Sequence, residues 1–139
     1  MGNGRWVGPG TARYTRHVST VRERPVVLVV DDEPAIRLLC RVNLELEGFE
    51  VLEAETLEGA REALDTGRVA AVLLDMHIGI EHGKTLLREI LAAEPRIPVA
   101  VVSGSTDLHS EAYAQADAIL AKPFTIERLT GVVHSLTAS

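Results

Sequence analysis

The sequence predicts an α/β fold, a doubly wound (βα)5 sandwich around a five-stranded parallel sheet. Three observations carry this. Short runs such as Val26–Val30 and residues 70–74 are apolar throughout, as strands buried on both faces are. Segments with apolar residues at helical spacing separate them. The two kinds of segment alternate from residue 25 almost to the end. Fully apolar strands belong in a parallel sheet covered by helices, and right-handed crossovers wind such a sheet doubly.

The elements follow in order. Val26–Val30 is a continuous β-branched run. Ile36, Leu39, Cys40, Leu44 and Leu46 then fall on one broad helical arc, with Asn43 inside it. Pro34 suits a first helical turn, and Gly48 closes the helix. Glu50–Ala54 is a short strand. Thr56 caps a second helix that runs to Asp65, with Leu57, Ala60 and Leu64 on one face and Gly67 as its stop. Residues 70–74 form the third strand. Lys84–Ala92 is a third helix carrying Leu86, Leu87, Ile90 and Leu91. Residues 98–102 are the fourth strand. Residues 107–115 make a short helix poor in large apolar residues. Residues 117–121 are the fifth strand. Residues 125–136 form the last helix, with Ile126, Leu129, Val132 and Val133 inside.

Composition narrows the function classes. The chain has 139 residues, enough for one self-supporting domain. Its net charge of −6 does not favour a nucleic-acid binder. The single cysteine, Cys40, allows neither an intrachain disulfide nor a cysteine-rich zinc site. No apolar run approaches the roughly 20 residues of a membrane helix, and the first residues lack the apolar region of a secretory signal. A cytoplasmic setting is the expectation. Charge is unevenly placed: residues 1–24 carry +4 and the remainder −10. Residues 1–24 therefore read as a flexible basic arm, with Trp6, Val7, Tyr14, Val18 and Val21 scattered along it, and residues 25–139 as the folded domain.

In doubly wound sheets, ligands bind at the carboxyl ends of the strands. Here the first strand ends in Asp31, Asp32 and Glu33, and the third ends in Asp75. The fourth ends in Ser103, Gly104 and Ser105, and the fifth in Lys122 and Pro123. Carboxylates this close repel one another unless a cation joins them. Mg²⁺, with its preference for oxygen ligands, waters and a phosphoryl oxygen, answers that need. An acidic first loop also argues against flavin and dinucleotide binding, where bare amides hold phosphate. Lys122 offers a fixed positive charge and Ser103 a neutral donor, the complement that phosphoryl transfer requires. A carboxylate would be the nucleophile. Asp75 suits this best because it stands alone, whereas Asp31 and Asp32 form a metal-holding pair.

The strings VLVVDDEPAIR (27–37), LLDMHIGIEHG (73–83), PVAVVSGS (98–105) and DAILAKPF (117–124) resemble the response-regulator receiver domain of two-component signalling. The resemblance covers about residues 25–137 and implies a flavodoxin-like, CheY-like fold. It implies that Asp75 accepts a phosphoryl group from a phosphohistidine on a histidine kinase or phosphotransfer protein. It further implies that Asp32, Asp75 and the backbone carbonyl of His77 bind Mg²⁺, with Asp31 acting mainly through water. Ser103 would bond the phosphoryl group, and Lys122 would pair with Asp75 or its phosphate. A cis bond at Lys122-Pro123 is expected, and Gly83 matches the turn before the third helix.

Four positions depart from the family pattern. Ile78-Gly79 stands where Met-Pro is common, which is expected to loosen the loop. Ile119 replaces the aromatic switch residue of the last strand. Gln115 replaces a glycine, and the stretch from Ser103 to Lys122 is about three residues short by that pattern. An altered output face follows, formed by the fourth helix, last strand and last helix. That face could also serve a homodimer.

Other residues read more plainly. His77 could tune phosphoryl lifetime or matter only through its backbone, and Ser105 lies where attacking water would approach. His82, His109 and His134 read as surface residues, and His17 lies in the arm. Cys40 reads as buried packing. Glu53, Glu55 and Glu58 read as solvated. The leading expectation is a stand-alone receiver that signals to a downstream protein by contact, with no direct DNA binding and no membrane association. The alternatives are a receiver segment of a hybrid histidine kinase and a phosphorylation-independent interaction module. A Mg²⁺-dependent phosphohydrolase ranks last, because no insertion supplies a cap.

Overall fold

The computed structural model describes residues 24–79, 81–104 and 113–138. Strands β1 (Val26–Val30), β2 (Glu50–Ala54), β3 (Val69–Asp75), β6 (Val99–Ser103) and β7 (Ala118–Ala121) form one sheet in the order β2-β1-β3-β6-β7. Every pairing in it is parallel. A small antiparallel hairpin, β4 (His77–Ile78) with β5 (Glu81–His82), follows β3. The helices are α1 (Pro34–Leu46), α2 (Leu57–Leu64), α3 (Lys84–Ala92) and α4 (Ile126–Thr137).

The apolar strands are buried on both faces, which is why they lack a polar alternation. One core joins Leu28, Val30, Val72 and Leu74 to Leu64 of α2 and Leu86, Leu87 and Ile90 of α3. The other joins Val27, Val29, Ala71 and Leu73 to Cys40 and Leu44 of α1 and Leu129, Val132 and Val133 of α4. Strand order reverses between β1 and β3, so the loops after those two strands share one crevice.

Local chemistry sets the helix ends. The Thr56 hydroxyl accepts from the Gly59 amide at 2.9 Å and caps α2. Thr125 does the same for α4 through the Arg128 amide at 3.0 Å. Gly48 leaves α1 with a φ of +96°, a conformation that favours glycine. The Lys122-Pro123 bond is cis, and so is Glu94-Pro95.

Several expectations change. The third strand begins at Val69 and takes Asp75 into the sheet. The helix expected over residues 107–115 falls mostly outside the described residues, and only Tyr113–Gln115 is seen, as a 3₁₀ turn. Leu46 is 79% exposed, not interior. It lies about 120° around α1 from Cys40, beyond the reach of the sheet. Glu53, Glu55 and Glu58 are all exposed as expected, and two of them are also paired: Arg37 donates to Glu53 at 2.9 Å and Arg41 at 2.6 Å, and Arg37 lies 3.8 Å from Glu55. Arg41 first, then Arg37, holds the Glu53 carboxyl below its usual value. His134 is exposed but tied to Glu47 at 2.8 Å.

Candidate functional site

Asp31 is the first residue past β1. Its amide donates to the Ala54 carbonyl at 3.0 Å, which extends the β1–β2 pairing by one residue and fixes its backbone. Its side chain is buried. Oδ1 accepts from the Glu33 amide at 2.9 Å, and Oδ2 accepts from Lys122 Nζ at 3.1 Å. Arg37 donates to its carbonyl oxygen at 2.8 Å and so ties α1 to the same loop.

Asp75 ends β3 and is also buried. Its Oδ1 accepts from the His77 amide at 3.1 Å, and its Oδ2 accepts from Lys122 Nζ at 3.4 Å. The chain leaving it is clamped on both sides: the Met76 amide donates to Val102 at 3.2 Å, and the Gly83 amide donates to Met76 at 2.8 Å. Asp32 is exposed at the rim, and its Oδ2 accepts from the Gly79 amide at 2.8 Å. Ser103, buried, ends β6, and its carbonyl accepts from the Lys122 amide at 2.8 Å. That bond sets Lys122 at the edge of the crevice. Glu33 adds a longer contact to Lys122 at 3.5 Å.

One carboxylate oxygen each from Asp31, Asp32 and Asp75 lies within 4.8 Å of the others. Burial pushes the Asp75 carboxyl above its usual value, and the Asp31 charge adds to this, against the His77 amide and Lys122. Burial alone would lower the Lys122 ammonium, but Asp75 and Asp31 outweigh it and hold it above its ordinary value. The site thus carries more negative charge than Lys122 neutralises. Its donors are all hard oxygens, the set that suits Mg²⁺.

Asp31, Asp32, Asp75, Ser103 and Lys122 therefore meet at one edge of the sheet, with His77 beginning the hairpin beside them. Ser105, His109 and His17 lie outside the described residues. The hairpin has no counterpart among the elements expected from the sequence. Gly79 holds a φ of +61° at its turn and supplies the amide that binds Asp32. A proline there could donate nothing, so the departure from Met-Pro adds a tether where loosening was expected. Cys40 is buried as expected, and burial, with some help from Asp31, pushes its thiol up to about 12.

The family model described as response regulator receiver domain matches residues 27–134. The transcriptional regulatory protein PrrA of Mycobacterium leprae is 33% identical over 116 residues, which are 81% of this chain and 49% of that protein. The chain thus spans about half, or less, of the length of such curated relatives. The receiver domain of NtrX from Brucella abortus superposes with a TM-score of 0.75 at 31% identity, covering 81% of this chain and 98% of that one. The response regulator TrrA from Thermotoga maritima, solved with Mg²⁺ and BeF, gives 0.74 at 29% identity, with the same coverage of 81% and 98%.

Proposed function

Because the chain belongs to the response regulator receiver domain family, we propose that it accepts a phosphoryl group on Asp75 and signals by protein–protein contact. One observation carries the reading. Three carboxylates and one ammonium, from the ends of three parallel strands, converge on the crevice where strand order reverses.

The donor would be a phosphohistidine on a histidine kinase or phosphotransfer protein. An Asp75 oxygen attacks phosphorus, a P–O bond forms, the P–N bond breaks, and the imidazole leaves with its electron pair. Asp31, Asp32, Asp75 and the His77 carbonyl would hold Mg²⁺, which neutralises charge on the phosphoryl oxygens when bound. Lys122 keeps its proton and follows the charge from the Asp75 carboxylate to the phosphoryl group. The Ser103 hydroxyl donates to a phosphoryl oxygen. The cycle ends by hydrolysis of the acyl phosphate, so the protein labels itself once per donor and turns over no outside substrate.

Residues 25–139 would be the receiver and residues 1–24 an attached arm. The downstream partner is a protein met in the cytoplasm, without direct contact to DNA or membrane. Among the described residues no helix is long and apolar enough to cross a membrane. The output face would be β7, α4 and the segment before β7, with a homodimer through it as one mode. Ile119, partly buried against the α2–α3 core, stands there in place of an aromatic switch and supports an altered readout.

Incubation with Mg²⁺ and acetyl phosphate, read by intact mass, tests this. One phosphoryl adduct on the parent and none on Asp75→Ala is expected. No adduct, together with no binding of beryllofluoride, would overturn the mechanism and favour a phosphorylation-independent binding module.

A further inference from the structure

Arg37 stands where its own helix does not favour it. α1 begins at Pro34, and the Arg37 amide closes its first turn by donating to the Glu33 carbonyl at 3.1 Å. The helix dipole is positive at that end and opposes a cation. The side chain is nevertheless only 14% exposed, and its fork is engaged with two other segments. Nη1 donates to the Asp31 carbonyl at 2.8 Å, Nε donates to Glu53 at 2.9 Å, and Nη2 lies 3.8 Å from Glu55. Arg41 donates to the other Glu53 oxygen at 2.6 Å and to Glu45 at 2.9 Å, so Glu53 is itself held from two sides.

On the proposed reading of the acidic cluster as a Mg²⁺ site, we infer that Arg37 is a positioning residue for it, fixing the Asp31–Asp32 peptide so that both carboxylates serve one ion. The carbonyl that Arg37 holds belongs to the peptide joining these two acids. The peptide on the other side of Asp31 is already fixed, because the Asp31 amide donates to Ala54 of β2 at 3.0 Å. Asp31 is thus held on both sides, once by the sheet and once by Arg37. From that fixed peptide one side chain turns inward to Lys122 and the next outward to the Gly79 amide, yet their oxygens and one of Asp75 stay within 4.8 Å of one another. Rotation of the peptide would carry Asp32 away from Asp75 without unpairing β1.

Charge and position act in opposite directions here. A cation beside a Mg²⁺ site repels the ion, so an arginine acting through charge alone would weaken binding, and its removal would tighten it. An arginine acting through position would have the reverse effect, and its removal would loosen the ligands. The geometry favours position, because Glu53 pairs with the guanidinium while a second nitrogen still reaches the Asp31 carbonyl. A planar fork can hold a carbonyl and a carboxylate at a fixed separation, whereas a lysine offers one point charge.

The test reads metal binding directly. The full chain is titrated with magnesium chloride while the amide NMR signals of Asp32 and His77 are followed. Arg37→Gln should weaken Mg²⁺ binding about tenfold, the lower end of what losing a group behind a metal ligand costs. Arg37→Lys keeps the charge but cannot hold Asp31 and Glu53 together, so it should weaken binding too, and it carries the test if Arg37→Gln does not fold. Arg41→Gln breaks the same network without touching Asp31, and its Mg²⁺ affinity should match the parent's. Parental or tighter binding in either Arg37 variant overturns the inference, as does an Arg41→Gln variant weakened as much as Arg37→Gln. In those cases a parent that binds Mg²⁺ leaves the proposed function standing, whereas a parent that binds none overturns both.

Discussion

Replacing Gly83 with alanine should destabilise the protein and loosen its site together. Gly83 has a φ of −69° and a ψ of −7°, so alanine meets no backbone objection there. Space is the difficulty. A Cβ would stand 3.0 Å from the Asp75 carbonyl oxygen, 3.1 Å from Met76 Cα and 3.2 Å from Met76 Sδ. The sulfur can swing away, but the other two atoms are backbone, held by the Met76–Val102 and Gly83–Met76 hydrogen bonds. Overpacking of this kind costs about 1–3 kcal/mol. Alanine also restricts the unfolded chain, which returns about 0.4–1 kcal/mol. The steric cost wins, leaving a net loss of about 1–2 kcal/mol. With a urea slope of roughly 1–3 kcal/mol per molar, the midpoint should fall by about 0.3–2 M. Gly131 is the control. It lies inside α4, and a Cβ added there would meet nothing within 4 Å, so Gly131→Ala should raise stability by about 0.5–1 kcal/mol. Because the clash bears on the backbone of Asp75, Gly83→Ala should also weaken beryllofluoride binding several-fold, and Gly131→Ala should not. A Gly83→Ala midpoint at or above the parent's would refute the reasoning.

Other outcomes follow from the same geometry. Asp75→Asn should stabilise the metal-free protein at pH 7, because the fold raises the Asp75 carboxyl and so disfavours its charged form. The sign is that parent stability falls as pH rises from the unfolded value toward the folded one; the advantage should vanish below both in a pH series of urea melts. Lys122→Gln should leave Asp31 and Asp75 without their cation, lowering stability by roughly 3 kcal/mol and slowing acetyl phosphate labelling more than tenfold. Glu53 is held below its usual value, so its pairs stabilise above the unfolded carboxyl pKa and stop doing so as pH falls through the folded one. Solvent access limits this to about 1 kcal/mol, and Glu53→Gln should flatten that part of the acid titration. Cys40, at about 12 and buried, should resist alkylation at pH 8 in the native protein and react at once in denaturant, as read by intact mass.

The apolar strands were legible because burial on both faces leaves an unbroken apolar run, and the cap at Thr56 because a hydroxyl before an apolar run has few other uses. The acids and Lys122 could be placed because a parallel sheet puts every strand's carboxyl end on one edge. What escaped depends on contacts that no local pattern encodes. The β4–β5 hairpin has two residues per strand, too few for an alternation to show. Gly79 read as a loss of stiffness because its amide finds Asp32 from 47 residues away. The pairing of exposed Glu53 went unseen because its arginines lie on a different element, α1. Leu46 looked interior because a helical arc gives a direction but not the point where the sheet ends.

The bond between Lys122 and Asp31 joins residues 91 positions apart in the chain, and the bond to Asp75 joins residues 47 apart. Loops of that length are costly to close early in folding. The acids come together once β1 and β3 pair, but their cation arrives only when β7 docks at the far edge of the sheet. During synthesis, at about 5–20 residues per second, the interval between Asp75 and Lys122 lasts roughly 2–9 seconds. For that time the nascent chain holds its like charges with no internal counter-charge. Closing the sheet is thus also the step that first makes the acidic edge electrostatically tolerable, and a chain stopped short of β7 would have apolar strands without a settled site.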